Sequence, residues 1–137
     1  MFPLGPLETN CYVAAVDGAA VAVDVGGDPA EVVDYLHTKG LSLAAILLTH
    51  LHCDHLYGVA ALAKEFGAKV LAGGEDAMLL DTDLGKGGFM GLPEVPAFSW
   101  EPVAPGRLAL PGMKSDAAPW SVSFFTTCSI PPAGSRG

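Results

Sequence analysis

The amino-acid sequence predicts an α/β fold built on a mixed sheet. Three observations carry that expectation. Two β-prone runs are joined by a hairpin dipeptide, two amphipathic segments each lead into a further strand, and one continuous apolar run has the character of a strand buried on both faces. Together they give the order β-β-α-β-α-β, in which parallel crossovers follow an antiparallel hairpin.

Each element has its own local reason. Residues 11–16 and 19–25 are rich in Val and Ala and flank Asp17-Gly18, a pair that tolerates the positive φ angles of a tight turn. Asp28-Pro29-Ala30-Glu31 reads as a helix start, with Asp28 as N-cap, Pro29 as the first helical residue and Glu31 closing a capping box. Val32, Val33 and Leu36 form its apolar stripe, Lys39 suits the negative helix end, and Gly40 stops it. Residues 43–49 are the doubly buried strand. A second helix is expected over 54–66, with Val59, Leu62, Ala63 and Phe66 on one face and Gly67 closing it, before a short strand over 68–72.

Beyond Gly73 the periodicity weakens. Residues 75–81 suit a short helix. Residues 85–105 are dense in Gly and Pro, with Phe89, Met90, Leu92, Phe98 and Trp100 among them, as in an irregular segment packed over a core or a site. Strands are expected at 108–110 and 121–125. Residues 126–137 carry no pattern, so the expectation is one domain over 1–125 followed by a disordered tail.

Composition narrows the function classes. Of 137 residues half are hydrophobic, which suits a packed core. The net charge is −8, with 7 Lys and Arg in all, so the chain lacks the basic patch a nucleic-acid partner requires. Met1-Phe2-Pro3-Leu4-Gly5-Pro6 resembles no signal peptide, and the apolar stretch 41–48 falls short of the ~20 residues of a membrane span. The 3 cysteines, Cys11, Cys53 and Cys128, are too few and too scattered for a disulfide framework. A cytoplasmic protein with neither nucleic-acid nor membrane partners is expected.

The chemistry is concentrated after Leu48. Three of the 4 histidines follow it at once, in Thr49-His50-Leu51-His52-Cys53-Asp54-His55. Alternate side chains of an extended segment point the same way, so His50 and His52 can converge on one cation. Asp54 and His55 can turn toward a second. Imidazole and carboxylate are the ligands of zinc, manganese and iron, and two such metals ~3.5–4 Å apart can activate water. His37, near a helix end, reads as structural, Cys53 as a buried filler between ligands, and Asp24 as an acceptor for backbone or His N–H groups.

Leu48-Thr49-His50-Leu51-His52-Cys53-Asp54-His55-Leu56-Tyr57-Gly58 resembles the signature of the metallo-β-lactamase superfamily. Gly5-Pro6-Leu7-Glu8-Thr9-Asn10-Cys11-Tyr12, Asp24-Val25-Gly26-Gly27-Asp28-Pro29 and Gly91-Leu92-Pro93-Glu94-Val95-Pro96 are similar to its compact branch related to glyoxalase II. The resemblance extends over roughly residues 3–112. It implies an αββα sandwich of which this chain holds mainly the N-terminal αβ half. It also implies two zinc ions, with iron or manganese as alternatives, His50 and His52 as ligands of the first metal, and Asp54 and His55 as ligands of the second. The reaction implied is hydrolysis of a small-molecule thioester such as S-lactoylglutathione, with Asp54 in the catalytic centre.

The sequence departs from that pattern in its last third. Where the family carries a second His-rich segment, Gly112-Met113-Lys114-Ser115-Asp116-Ala117-Ala118-Pro119-Trp120 stands here, with Ala117 at the ligand position and no histidine after His55. A catalytic zinc normally has three protein ligands, and the first metal would have two. A shortened or frameshifted relative is therefore expected. Its activity would be impaired, and one sheet face would be open to self-association. A metal-binding chain without turnover, a lactonase or a sulfur dioxygenase is the alternative function.

Overall fold

Three parallel pairings set beside two antiparallel ones make up the sheet, which is mixed as expected. The computed structural model describes residues 1–103. The strands are β1 (Phe2–Leu4), β2 (Thr9–Val16), β3 (Ala19–Val23), β4 (Ser42–Leu48), β5 (Lys69–Gly73) and β6 (Glu101–Val103), hydrogen-bonded in that order. β2 runs antiparallel to both its neighbours, β1 and β3, and β3 through β6 are parallel. Asp17 and Gly18, at φ 50° and 82°, form the β2–β3 turn as their sequence dictates.

The helices α1 (Ala30–Thr38) and α2 (Val59–Phe66) are the crossovers from β3 to β4 and from β4 to β5. Both lie on one face of the sheet. Val32 and Leu36 of α1 and Val59 and Leu62 of α2 share a core with Ala20, Ala22, Ile46, Leu48 and Val70. The alternate positions Val21, Ala45, Leu47 and Leu71 form a second cluster, packed with Ala14, Val23 and Val103. The run in β4 is therefore apolar throughout because its two sets of alternating side chains serve two different cores. All four residues of the second cluster are buried.

Several boundaries differ from expectation for identifiable reasons. β3 ends at Val23 because Asp24 turns the chain at φ 57°. α1 begins one residue late: the Asp28 carboxylate accepts a bond from the Ala30 N–H at 3.0 Å, and Pro29 occupies the cap. The second helix is not continuous over 54–66. Cys53–His55 form a 3₁₀ turn, and α2 starts only at Val59. The intervening backbone bonds elsewhere, since the His55 carbonyl accepts from the Val25 N–H at 3.0 Å and the Gly58 N–H donates to the Val25 carbonyl at 2.8 Å. Those tertiary bonds replace the helical ones.

Residues 74–81 form a 3₁₀ helix, and α3 (Asp83–Lys86), which no sequence signal marked, follows it. The irregular segment is packed only in part: Val95, Phe98 and Trp100 lie against the main core, whereas Met90 is 91% exposed. It also contains an antiparallel bridge between Gly87 and Glu94, and it ends in β6. Strands β1 and β6 had no visible signal because each is three residues long and has Pro3 or Pro102 at its centre. The expected strands at 108–110 and 121–125, Ala117 and the expected tail lie outside the described residues. Among the described residues no helix is long and apolar enough to cross a membrane.

Candidate metal centre

The site lies at the carboxyl ends of β3 and β4, the edge at which parallel sheets place their ligands. Asp24 follows β3, and Thr49 opens the loop that follows β4. Asp24 is the one buried charged residue among those described, 4% exposed, and three groups converge on its carboxylate. The Thr49 N–H donates to Oδ1 at 2.9 Å and the Thr49 hydroxyl to Oδ2 at 2.7 Å. His55 Nδ1 lies 2.8 Å from Oδ2, close enough for charge attraction although poorly aligned for a hydrogen bond. Asp24 therefore serves the acceptor role read from its sequence context, and it fixes both ends of the loop.

Three imidazoles meet beside it. The His50 ring centroid lies 4.5 Å from that of His52 and 4.1 Å from that of His55. The Asp54 carboxylate joins them, with Oδ2 3.4 Å from His55 Nε2. All four residues singled out in the sequence are thus brought together. The expected grouping into His50/His52 and Asp54/His55 is less distinct, because His55 stands nearer His50 than His52 does. His52 Nε2 is buried without a hydrogen-bond partner. Among the described residues no three His, Cys, Asp or Glu side chains are set in a closed ligand shell.

The two sides of the cluster differ electrostatically. Burial, and then the neighbouring His55 and His52, lower the His50 pKa against the pull of Asp24 and Asp54. Burial acts the same way on His55, but its interaction with Asp24 and the charges of Asp24 and Asp54 outweigh it and raise the pKa. A neutral His50 keeps a lone pair available as a donor.

The remaining residues have supporting roles. Cys53 is buried, as expected of a filler. The Tyr57 hydroxyl beside it is buried with no strong partner, and burial first, then the Cys53 sulfur and the Asp54 charge, push its pKa up. Cys11 is fully buried, and burial with the Asp24 charge pushes its pKa up to about 12, so it remains an inert thiol. His37 is remote from the site and pairs with Glu65 of α2 at 3.1 Å. Thr9 was not anticipated. Its hydroxyl donates to Asp54 Oδ2 at 3.0 Å across 45 residues of sequence, and the only hint of it was its place in the Glu8-Thr9-Asn10 motif.

The profile of the metallo-beta-lactamase superfamily matches residues 4–120. The chain belongs to the metallo-β-lactamase superfamily. Among its relatives in that superfamily, a probable metallo-hydrolase of Bacillus subtilis (strain 168) is 33% identical over 89 residues, which is 64% of this chain and 42% of that protein. A hydroxyacylglutathione hydrolase of Chromohalobacter salexigens is 51% identical over 45 residues, 33% of this chain and 18% of that enzyme. Two solved structures are each 31% identical and each cover 80% of this chain. BLEG-1, a B3 metallo-beta-lactamase, has a TM-score of 0.69 over 55% of its own length, and TTHA1623 in a di-iron-bound form has 0.66 over 57%. The chain thus spans less than two thirds of each of these superfamily members. The sandwich expected from the sequence is the fold of the superfamily, and its members bind metal ions, the di-iron neighbour among them.

Proposed function

We propose that the 50–55 loop binds divalent metal, zinc as the family resemblance implies, in the service of thioester hydrolysis of the S-lactoylglutathione class. The observation that carries this reading is the buried Nε2 of His52, unpartnered within a ring of three imidazoles and a carboxylate. Leaving such an atom unsatisfied costs about 1–3 kcal/mol, and a bound cation removes that cost. The kinship with a hydroxyacylglutathione hydrolase supports the substrate class. The unpaired Cys11 and Cys53 accord with a reducing, cytoplasmic setting.

When bound, the metal supplies a hydroxide available near neutral pH and neutralises charge developing on the substrate carbonyl oxygen. The chain's own residues set the stage for that chemistry. His50 presents a neutral nitrogen and His52 its unpartnered Nε2, and the Asp24 carboxylate attracts the His55 ring from 2.8 Å. Asp54 adds a carboxylate to the group of side chains that would hold the cation. The departing thiolate needs no strong acid, because free thiols have a pKa of about 8.5.

A second reading, a metal-binding chain without turnover, is favoured by the lack of a closed three-ligand shell among the described residues. Measuring metal content and S-lactoylglutathione hydrolysis for the full chain and for His52→Ala separates the two. Bound metal with a rate that His52→Ala abolishes supports the hydrolase. Bound metal with no rate above the uncatalysed reaction supports the second reading.

A further inference from the structure

The β1–β2 turn packs main chain to main chain against the loop after β3, and that loop in turn packs against the loop bearing Asp54. A Cβ on Gly5 would stand 2.0 Å from the Gly26 carbonyl oxygen, one on Gly27 would stand 2.2 Å from the Gly5 nitrogen, and one on Gly26 would stand 2.1 Å from the Asp54 carbonyl oxygen. Three chain segments therefore touch main chain to main chain: the turn after β1, the loop after β3, and the loop bearing Asp54. Only glycine permits so close an approach. The turn reaches Thr9 through Glu8, which sits at φ 50° and donates its N–H to the Gly5 carbonyl at 3.1 Å. This clamp fixes the Thr9 backbone with respect to Asp54 before either side chain is considered.

We propose that Thr9 is a positioning residue for Asp54. The inference rests on the reading of Asp54 as a metal ligand and deepens it. The Thr9 hydroxyl donates to Oδ2 at 3.0 Å, and Oδ1 accepts no hydrogen bond among the described residues. A carboxylate on a flexible side chain has two equivalent oxygens and a broad terminal torsion. Thr9 removes that freedom: it occupies Oδ2, sets the plane of the group and leaves Oδ1 for a cation. It also competes for the oxygen that lies 3.4 Å from His55 Nε2, which weakens the Asp54–His55 pair that would tie up two ligand atoms with each other. The hydroxyl is the working part, since the threonine methyl carries no donor.

The test is direct titration of the full metal-free chain with Zn²⁺ against a chromophoric chelator, comparing wild type, Thr9→Val and Thr9→Ser. Partners that orient a ligand are typically worth about 10–100-fold in metal affinity. Thr9→Val is expected to bind Zn²⁺ weaker by that factor, and Thr9→Ser to stay near wild type. The thermal midpoint of metal-free Thr9→Val should remain close to that of wild type, and its Co²⁺-loaded absorption spectrum should change. Thr9→Ala takes the place of Thr9→Val if the latter does not fold. Equal Zn²⁺ affinity in wild type and the hydroxyl-less variant overturns the inference, as does a loss of affinity in Thr9→Ser matched by lower metal-free stability. A wild-type chain that takes up no Zn²⁺ overturns the ligand reading itself, and the inference with it.

Discussion

At the scale of single residues, Asp24 organises more of the site than any of the expected ligands. It is buried, left-handed in backbone, and bonded to the residue that begins the loop while attracting the residue that ends it. Its charge has a titration signature in the metal-free chain. The His55 pKa is raised above 6.5, so the stability His55 contributes is complete below about pH 6.5 and is lost as the pH rises through the raised folded value. His50 behaves oppositely. Its pKa is lowered, so its contribution is complete above 6.5 and is lost as the pH falls from there through the lowered value. Ring-proton NMR titration of the metal-free chain should therefore find these two histidines on opposite sides of the ordinary value. Asp24→Asn should bring His55 down, because burial then acts with less opposition. Identical His55 titrations in the two proteins would contradict the assignment.

At the scale of elements, the break between the 3₁₀ turn and α2 is the decisive local feature. A continuous helix over 54–66 would have used the His55 carbonyl internally, whereas here that carbonyl and the Gly58 N–H bracket Val25. Gly58 makes this possible, since a Cβ there would stand 2.0 Å from the Gly27 carbonyl oxygen and 2.6 Å from Val25 Cγ1. Gly58→Ala is expected to destabilise the chain by about 1–3 kcal/mol or more, as overpacking against immobile backbone does. Gly73→Ala is its control. Nothing lies within 4 Å of the added carbon, and the change should stay within roughly 0.5 kcal/mol. Urea unfolding of both variants checks the contrast, and equal midpoints would show that the close approach carries no weight. The apolar stripes of α1 and α2 were legible beforehand because a 3.6-residue period depends only on neighbours in sequence. The break was not, because its cause lies 30 residues away in Val25.

At the scale of the whole molecule, metal and fold should stabilise each other. A ligand that binds only the folded state adds about 2.7 kcal/mol at a hundred times its Kd. Zn²⁺ is thus expected to raise the thermal midpoint of the full chain, a chelator to reverse the rise, and His50→Ala to remove it. A midpoint indifferent to Zn²⁺ at all concentrations would remove the basis for a metal centre.

The class of the fold, the two buried faces of β4, both helical crossovers, and the grouping of His50, His52, Asp54 and His55 are all legible in the residue pattern. Each of these depends on the spacing of residues close together in the chain, where geometry follows from the local period. Long-range packing brought Thr9 onto Asp54, set His55 nearer to His50 than His52 is, and divided the second helix. It also recruited two proline-centred strands, β1 and β6, that have no pattern of their own. Those outcomes depend on which backbone groups from distant segments find one another at the end of the sheet. Glycines at positions 5, 26, 27 and 58 let those segments touch, and no local period encodes which segment each of them will meet.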